Sequence, residues 1–136
     1  MFDFFYPRTS TRFVNLALLI LRVFVPLLLI PHGYDKLLSF LDGAADFPDP
    51  LHVGIRFSYG LAVLGEVIAP IFIIWGLFTR IASVIEIGHF LVVAFLMHAN
   101  EPLADKEHAL LYLIPYAALL LTGAGQYSLD ALFFKK

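Results

Sequence analysis

Four apolar runs, beginning at Phe13, Phe57, Ile81 and Ala109, each approach the ~20 residues that an α-helix needs to cross a bilayer. The chain has 136 residues, 60% of them hydrophobic and only 15% charged, whereas soluble domains run at ~45–50% apolar and ~25% charged. That is more apolar surface than one soluble core of this size can bury. The runs therefore predict an all-α, integral membrane four-helix bundle, a single transmembrane domain over 1–136 whose first partner is the lipid bilayer. Hydropathy places its helices at about 13–38, 55–77, 80–98 and 107–123.

The segments between the runs behave as connectors. Asp42 to Pro50 carries three acids, two prolines and a glycine, a turn-rich and solvent-facing composition. Helices two and three are joined only by residues around Phe78-Thr79-Arg80 and must be antiparallel neighbours. Arg8 and Arg12 followed by an apolar run imitate a signal peptide, but Arg22 interrupts the run and no small-residue cleavage pattern precedes Pro31, so the segment reads as a retained first helix. Arg8, Arg12, Arg80, Lys135 and Lys136 fall on one side of the predicted bundle, and Lys36, Arg56 and Lys106 on the other. The cation excess puts both termini in the cytoplasm. Phe2, Phe4, Phe5 and Tyr6, with Phe133 and Phe134, are the expected interfacial anchors on that side. There is no cysteine, which excludes disulfides, thiolate metal sites and iron–sulfur clusters made by this chain alone. A net charge of −2 without a Lys/Arg cluster argues against a nucleic-acid partner.

Polar residues inside the runs are the candidate functional groups, because charge in hydrocarbon is costly and needs a partner or water. Counted from the cytoplasmic ends at ~1.5 Å per residue, Arg22, Glu66, Glu86, His89 and Tyr112 share one layer at roughly 10–18 Å depth. His32, Tyr59, His98, Glu107 and His108 share a second, nearer the outer surface. The first layer predicts an ion pair between Arg22 and Glu66, direct or through water or Glu86. Glu86-Ile87-Gly88-His89 has the Glu-x-x-His spacing of helical metal sites, although the di-metal pattern needs two such pairs. A mononuclear site from His32, His98, Glu66 and Glu107 is the alternative on ligand type and depth. His89 and His98 stand about 180° apart on an ideal helix and can face one interior point only if the helix is irregular. Pro26, Pro70 and Pro115 kink their helices, which shapes packing or opens a pocket between them.

An ordered set of short motifs resembles the DoxX family. It comprises Arg22, His32-Gly33-Tyr34-Asp35-Lys36-Leu37, Phe47-Pro48, Gly65-Glu66, Trp75-Gly76-Leu77-Phe78-Thr79-Arg80, Met97-His98, Glu107, and Thr122-Gly123-Ala124-Gly125-Gln126-Tyr127-Ser128-Leu129-Asp130, spanning Arg12 to Leu132. The tail reads Gly-Ala-Gly-Gln where the family usually has Gly-Pro-Gly-Arg. The resemblance implies a small four-helix bacterial or archaeal protein, multi-pass in the cell (inner, cytoplasmic) membrane and associated with quinone-linked redox complexes. Family motif positions fall on Arg22, His32, Lys36, Glu66, His98, Glu107 and Asp130. Glu86 and His89 lie outside the motif and rest on spacing alone.

With that resemblance the expected function is a redox-associated, quinone- or quinol-linked membrane subunit. His32, Glu66, Glu107 and Arg22 are its expected catalytic groups, and Tyr59, Tyr112 and Lys36 its expected cofactor-binding residues. Carboxylates and imidazoles move protons but not electrons, so a redox partner protein is implied. The cofactor stays open between a quinone and a divalent metal, the metal held by His32, His98, Glu66 and Glu107 or by Glu86 and His89. The alternatives are a non-enzymatic binding or transport module for a small solute or metal ion, and a structural anchor for partner subunits. Homo-oligomer formation is left open.

Overall fold

In the computed structural model, residues 10–134 are described, and all their regular structure is helical. Phe2, Phe4, Phe5, Tyr6, Arg8, Lys135 and Lys136 lie outside the described residues. Helix α1 spans Thr11–Leu41 and runs through Pro26 and Pro31. Each proline leaves one helix carbonyl without its donor, which membrane helices tolerate where neighbours repair the loss. At 31 residues and ~1.5 Å per residue, α1 is longer than the ~30 Å hydrocarbon layer.

Helix α2 spans Ile55–Trp75, with a π-helical stretch over Leu64–Ile68. Helix α3 spans Thr79–Met97 and ends in a second π-helical stretch, Val93–Met97. Helix α4 spans Leu103–Thr122 around Pro115. A short α5, Leu129–Phe133, follows, an element that hydropathy does not reveal because five residues carry no periodic signal. α1, α2 and α3 are long and apolar enough to cross a membrane. α4 has comparable length but opens on Asp105-Lys106-Glu107.

α1 packs along α2, and α3 packs most extensively along α4. Small residues (Ala62, Ala69, Ala82, Ala94 and Ala109) line these contacts around the fully enclosed Ile73, Tyr116 and Leu119, so backbones approach closely without a driving force from water. Phe24, Leu28, Ile81, Ile114 and Leu121 point outward and are exposed, as lipid-facing residues should be. Phe90, Tyr112 and Tyr116 stack at the α3–α4 seam, Phe90 and Tyr112 at 4.9 Å between centroids.

The α2–α3 turn is built by Gly76 in the left-handed conformation (φ 68°). Gly76 N–H donates to the Ile73 carbonyl and Leu77 N–H to the Phe72 carbonyl, both at 3.0 Å, the Schellman pattern that ends a helix on glycine. α3 then starts with its first amides capped from a distance. Asp130 on α5 accepts from Phe78 N–H at 2.7 Å and from Thr79 N–H at 2.9 Å, which meets both the orphan donors and the positive end of the helix dipole.

At the other end, the loop between α1 and α2 folds on Asp49. Its carboxylate accepts from Ser58 Oγ at 2.6 Å, Gly54 N–H at 2.9 Å and Val53 N–H at 3.1 Å. The Ser58 bond first, and then the two amides, hold this carboxyl below the usual carboxylate range. The folded group thus binds a proton less readily than the unfolded chain does. Its contribution is fully present above the ordinary carboxylate range of about 4 and is lost as pH falls through the depressed folded value. Amide protection factors over residues 42–58 should therefore drop between neutral pH and about pH 3 in the parent, and start low with little pH response in Asp49→Ala. Equal protection at both pH values in the parent would contradict this account.

Candidate functional site

Pro70 has no N–H to give to the carbonyl of Glu66, four residues earlier in α2. The helix widens there, with Ala69 N–H reaching back to the Leu64 carbonyl in the π stretch that contains Glu66. Such wide turns often sit at functional sites because they redirect one side chain without ending the helix. Two glycines hold neighbours against this turn. A Cβ on Gly33 of α1 would stand 2.6 Å from Glu66 Cβ and 2.7 Å from the Glu66 carbonyl oxygen. A Cβ on Gly65 would stand 2.6 Å from the His89 ring of α3. Three helices therefore converge on one carboxylate.

Glu66 is only 6% exposed. Its Oε1 accepts a hydrogen bond from Lys36 Nζ at 2.6 Å and lies 3.3 Å from His89 Nε2, near enough for an ion pair but without hydrogen-bond alignment. Its Oε2 has no partner among the described residues. Lys36 stands one turn beyond Gly33, so its stem runs back along α1 to reach the acid.

Glu66, Lys36 and His89 line a cavity of about 720 Å³, within the ~300–1,000 Å³ range of small-molecule sites. Its walls are largely apolar and come from α1, α2, α3 and the start of α4, with Phe47, Pro48 and Leu51 of the loop closing one end. Phe47 is held in place by stacking on Tyr59 at 4.2 Å between centroids. His32 and His108 also line the cavity, their rings 5.5 Å apart. His98 lines it too, while its Nδ1 bonds the Glu101 carboxylate. The π turn Val93–Met97 lies between His89 and His98 and rotates the end of α3, which lets both histidines reach one cavity despite their ideal half-turn separation.

Several expected partnerships are not made. Arg22 is buried, but it donates to the Ile74 carbonyl at 2.9 Å and to the Tyr127 carbonyl, with Asp130 as an electrostatic neighbour. The expected ion pair with Glu66 is therefore wrong. Depth counted from Phe13 takes the start of α1 and the end of α2 to lie at one level. Gly33 is what meets Glu66, which leaves the first turns of α1 beside the chain after α4: Asn15 Oδ1 accepts from Gln126 N–H at 2.9 Å. Glu107 is exposed and takes no part in the cavity wall. Tyr59 and Tyr112 are buried behind Phe47 and Phe90 rather than lining the cavity. Among the described residues no three His, Asp or Glu side chains gather as a metal site. His32, His98, Glu66 and Glu107 are apart from one another in their partners, and both oxygens of Glu86 lack any, His89 included. His108, placed by sequence only in the outer polar layer, lines the cavity where its charged neighbour Glu107 does not. The spacing of Ala109, Tyr112, Tyr116 and Leu119, which marks the buried face of α4, is the signal that turns His108 toward the cavity.

The DoxX family profile matches residues 17–99, well over half of the chain. The chain belongs to the DoxX family. The match takes in Arg22, His32, Lys36, Glu66 and His98 and stops before Glu107 and Asp130. Inner membrane protein YqjF of Escherichia coli K12 is 28% identical over an alignment of 136 positions, which covers 90% of this chain and 95% of the relative. An uncharacterized protein of Haemophilus influenzae is 33% identical over 129 positions, covering 85% and 90%. No solved structure matches the chain. The helices and the family together make this a multi-pass membrane protein.

The close crossing under Glu66 has a direct test. Gly33→Ala should lower stability in detergent by ~1–3 kcal/mol, the usual cost of overpacking, because its Cβ would meet α2 at 2.6 Å. Gly88→Ala, whose Cβ meets nothing within 4 Å, should melt at or above the parent. Identical melting of the two variants would speak against the crossing.

Proposed function

We propose that this DoxX-family protein is a redox-associated membrane subunit that binds a quinone or quinol in the cavity above Glu66, as a four-span bundle with both termini in the cytoplasm. The single observation that carries the reading is the cavity itself: about 720 Å³, largely apolar along its walls, with Glu66, Lys36 and His89 among its few polar lining groups. An apolar ring with polar oxygens at its edge matches that distribution. The outward Ile114 and Leu121 on α4 support a fourth span, and the inner-membrane description of the E. coli relative supports the same membrane here.

A bound quinone supplies the two-electron carrier that a chain without cysteine does not carry in its own side chains. Lys36 Nζ presents donors to a ligand oxygen while keeping its hydrogen bond to Glu66. Behind it, His89 Nε2 and Glu66 Oε2 are buried and unpartnered among the described residues. Glu66, fixed on its wide turn, is the group that takes or returns a proton. The apolar walls exclude water, which strengthens each of these contacts. Electrons pass to a partner protein.

The test is lipid extraction of protein purified in native-like nanodiscs, followed by titration with a short-chain quinone. Parent protein should carry quinone and bind the short-chain form. Glu66→Gln and Lys36→Met should each bind at least about tenfold more weakly, since a hydrogen bond to a charged group contributes ~1.5–3 kcal/mol. Parent protein free of quinone and indifferent to the titrant would sink the reading, as would unchanged affinity in both variants.

A further inference from the structure

Thr79, Ser83 and Glu86 stand at i, i+4 and i+7 on one face of α3, and each is 0% exposed. The Thr79 and Ser83 hydroxyls and both Glu86 carboxyl oxygens have no hydrogen-bond partner among the described residues. The same is true of Tyr116 Oη, which is fully enclosed on α4, and of Arg22 Nε. Buried hydroxyls and carboxyls are nearly always partnered. Their gathering in one file is the unusual fact, since apolar residues would have packed the same face at no such penalty.

The file has two defined ends. Thr79 lies at the α2–α3 turn, where its own N–H is held by Asp130 and where Arg22 reaches the Ile74 carbonyl. Glu86 lies at the other end, with Glu66 of α2 as an electrostatic neighbour and Tyr112 and Tyr116 of α4 facing it. Beyond it come Glu66 Oε2 and His89 Nε2, buried and again without partners among the described residues, on side chains that line the cavity. Polar atoms so placed are the setting in which internal water makes its two to four hydrogen bonds. Carboxyls in line with hydroxyls and water relay protons through membranes.

We propose that the Thr79–Ser83–Glu86 face of α3, with Tyr116 of α4, is a hydrated proton path that connects the Arg22–Asp130 end of the bundle to Glu66 in the cavity. Glu86 passes its proton to Glu66 and regains one through water held by Ser83 and Thr79. One proton enters for each that leaves, and no electron moves along the path. Only the identity of the final acceptor, a ligand in the cavity, rests on the function proposed above.

Infrared spectroscopy of the full chain in nanodiscs tests the path without any quinone. A protonated-carboxyl stretch should be present in the parent, vanish in Glu86→Gln and persist in Glu66→Gln. On transfer to D₂O its isotope shift should be prompt in the parent and at least about tenfold slower in a Thr79→Val, Ser83→Val double variant, as expected when a rate-limiting relay step is removed. Ser83→Ala alone, the milder change, should slow it in the same direction. Retention of the band in Glu86→Gln overturns the proposal, and so does exchange as fast in the hydroxyl-free variants as in the parent. Loss of quinone binding with these infrared results intact would count against the cavity reading and leave the path standing.

Discussion

A proline that cannot donate to the carbonyl one turn before it determines how this bundle is assembled. Pro70 widens α2 at Glu66, and the widened turn places a carboxylate where Gly33 and Gly65 admit two other helices. Without the glycines, the neighbours could not come near enough for Lys36 and His89 to meet Glu66. Without the wide turn, the carboxylate would follow the regular helical track. Glu66 both meets Gly33 at the crossing of α1 on α2 and lines the cavity, so packing and chemistry cannot be altered independently there.

The opposite end of the bundle solves a different problem. A short turn between antiparallel helices leaves unpaired carbonyls at the end of α2 and unpaired amides at the start of α3. Arg22 serves the carbonyls and Asp130 the amides. Their charges sit near each other without pairing directly, each satisfied mainly by backbone. Gly76 makes room for this: a Cβ there would collide with Arg22 Nη1. A chain end more than a hundred residues away from Arg22 in sequence is thereby tied to the first helix.

Much of this was legible from residue type, and less from position. The apolar runs point to membrane helices, and the ordered motifs to the DoxX family. Lys36, Glu66 and His98 are candidates by residue type and motif, and they line one cavity. Their partners were harder to foresee, because hydropathy locates a span without fixing its height. α1 enters with extra turns that pack on the tail, so depth counted from Phe13 paired Glu66 with the wrong cation. π turns likewise leave no periodic trace. The wide turn after Val92 brings His89 and His98 to the same space against the ideal helical count. Asp130 was recognisable as a motif residue, but its task of capping α3 depends on a fold-back of the tail that no local pattern encodes.

The roof of the cavity differs in kind from its walls. Phe47, Pro48 and Leu51 belong to a loop, held down by the Phe47–Tyr59 stack and by three hydrogen bonds to Asp49. The stack and the Ser58–Asp49 bond tie this roof to α2, while the close helix crossing at Gly33 and Glu66 does not involve it. Loop motions run on nanosecond to microsecond timescales, far ahead of helix rearrangements. The residence time of anything in the cavity is thereby uncoupled from the rigidity of the bundle: a stiff membrane scaffold can keep its charged groups fixed while exchanging its occupant often.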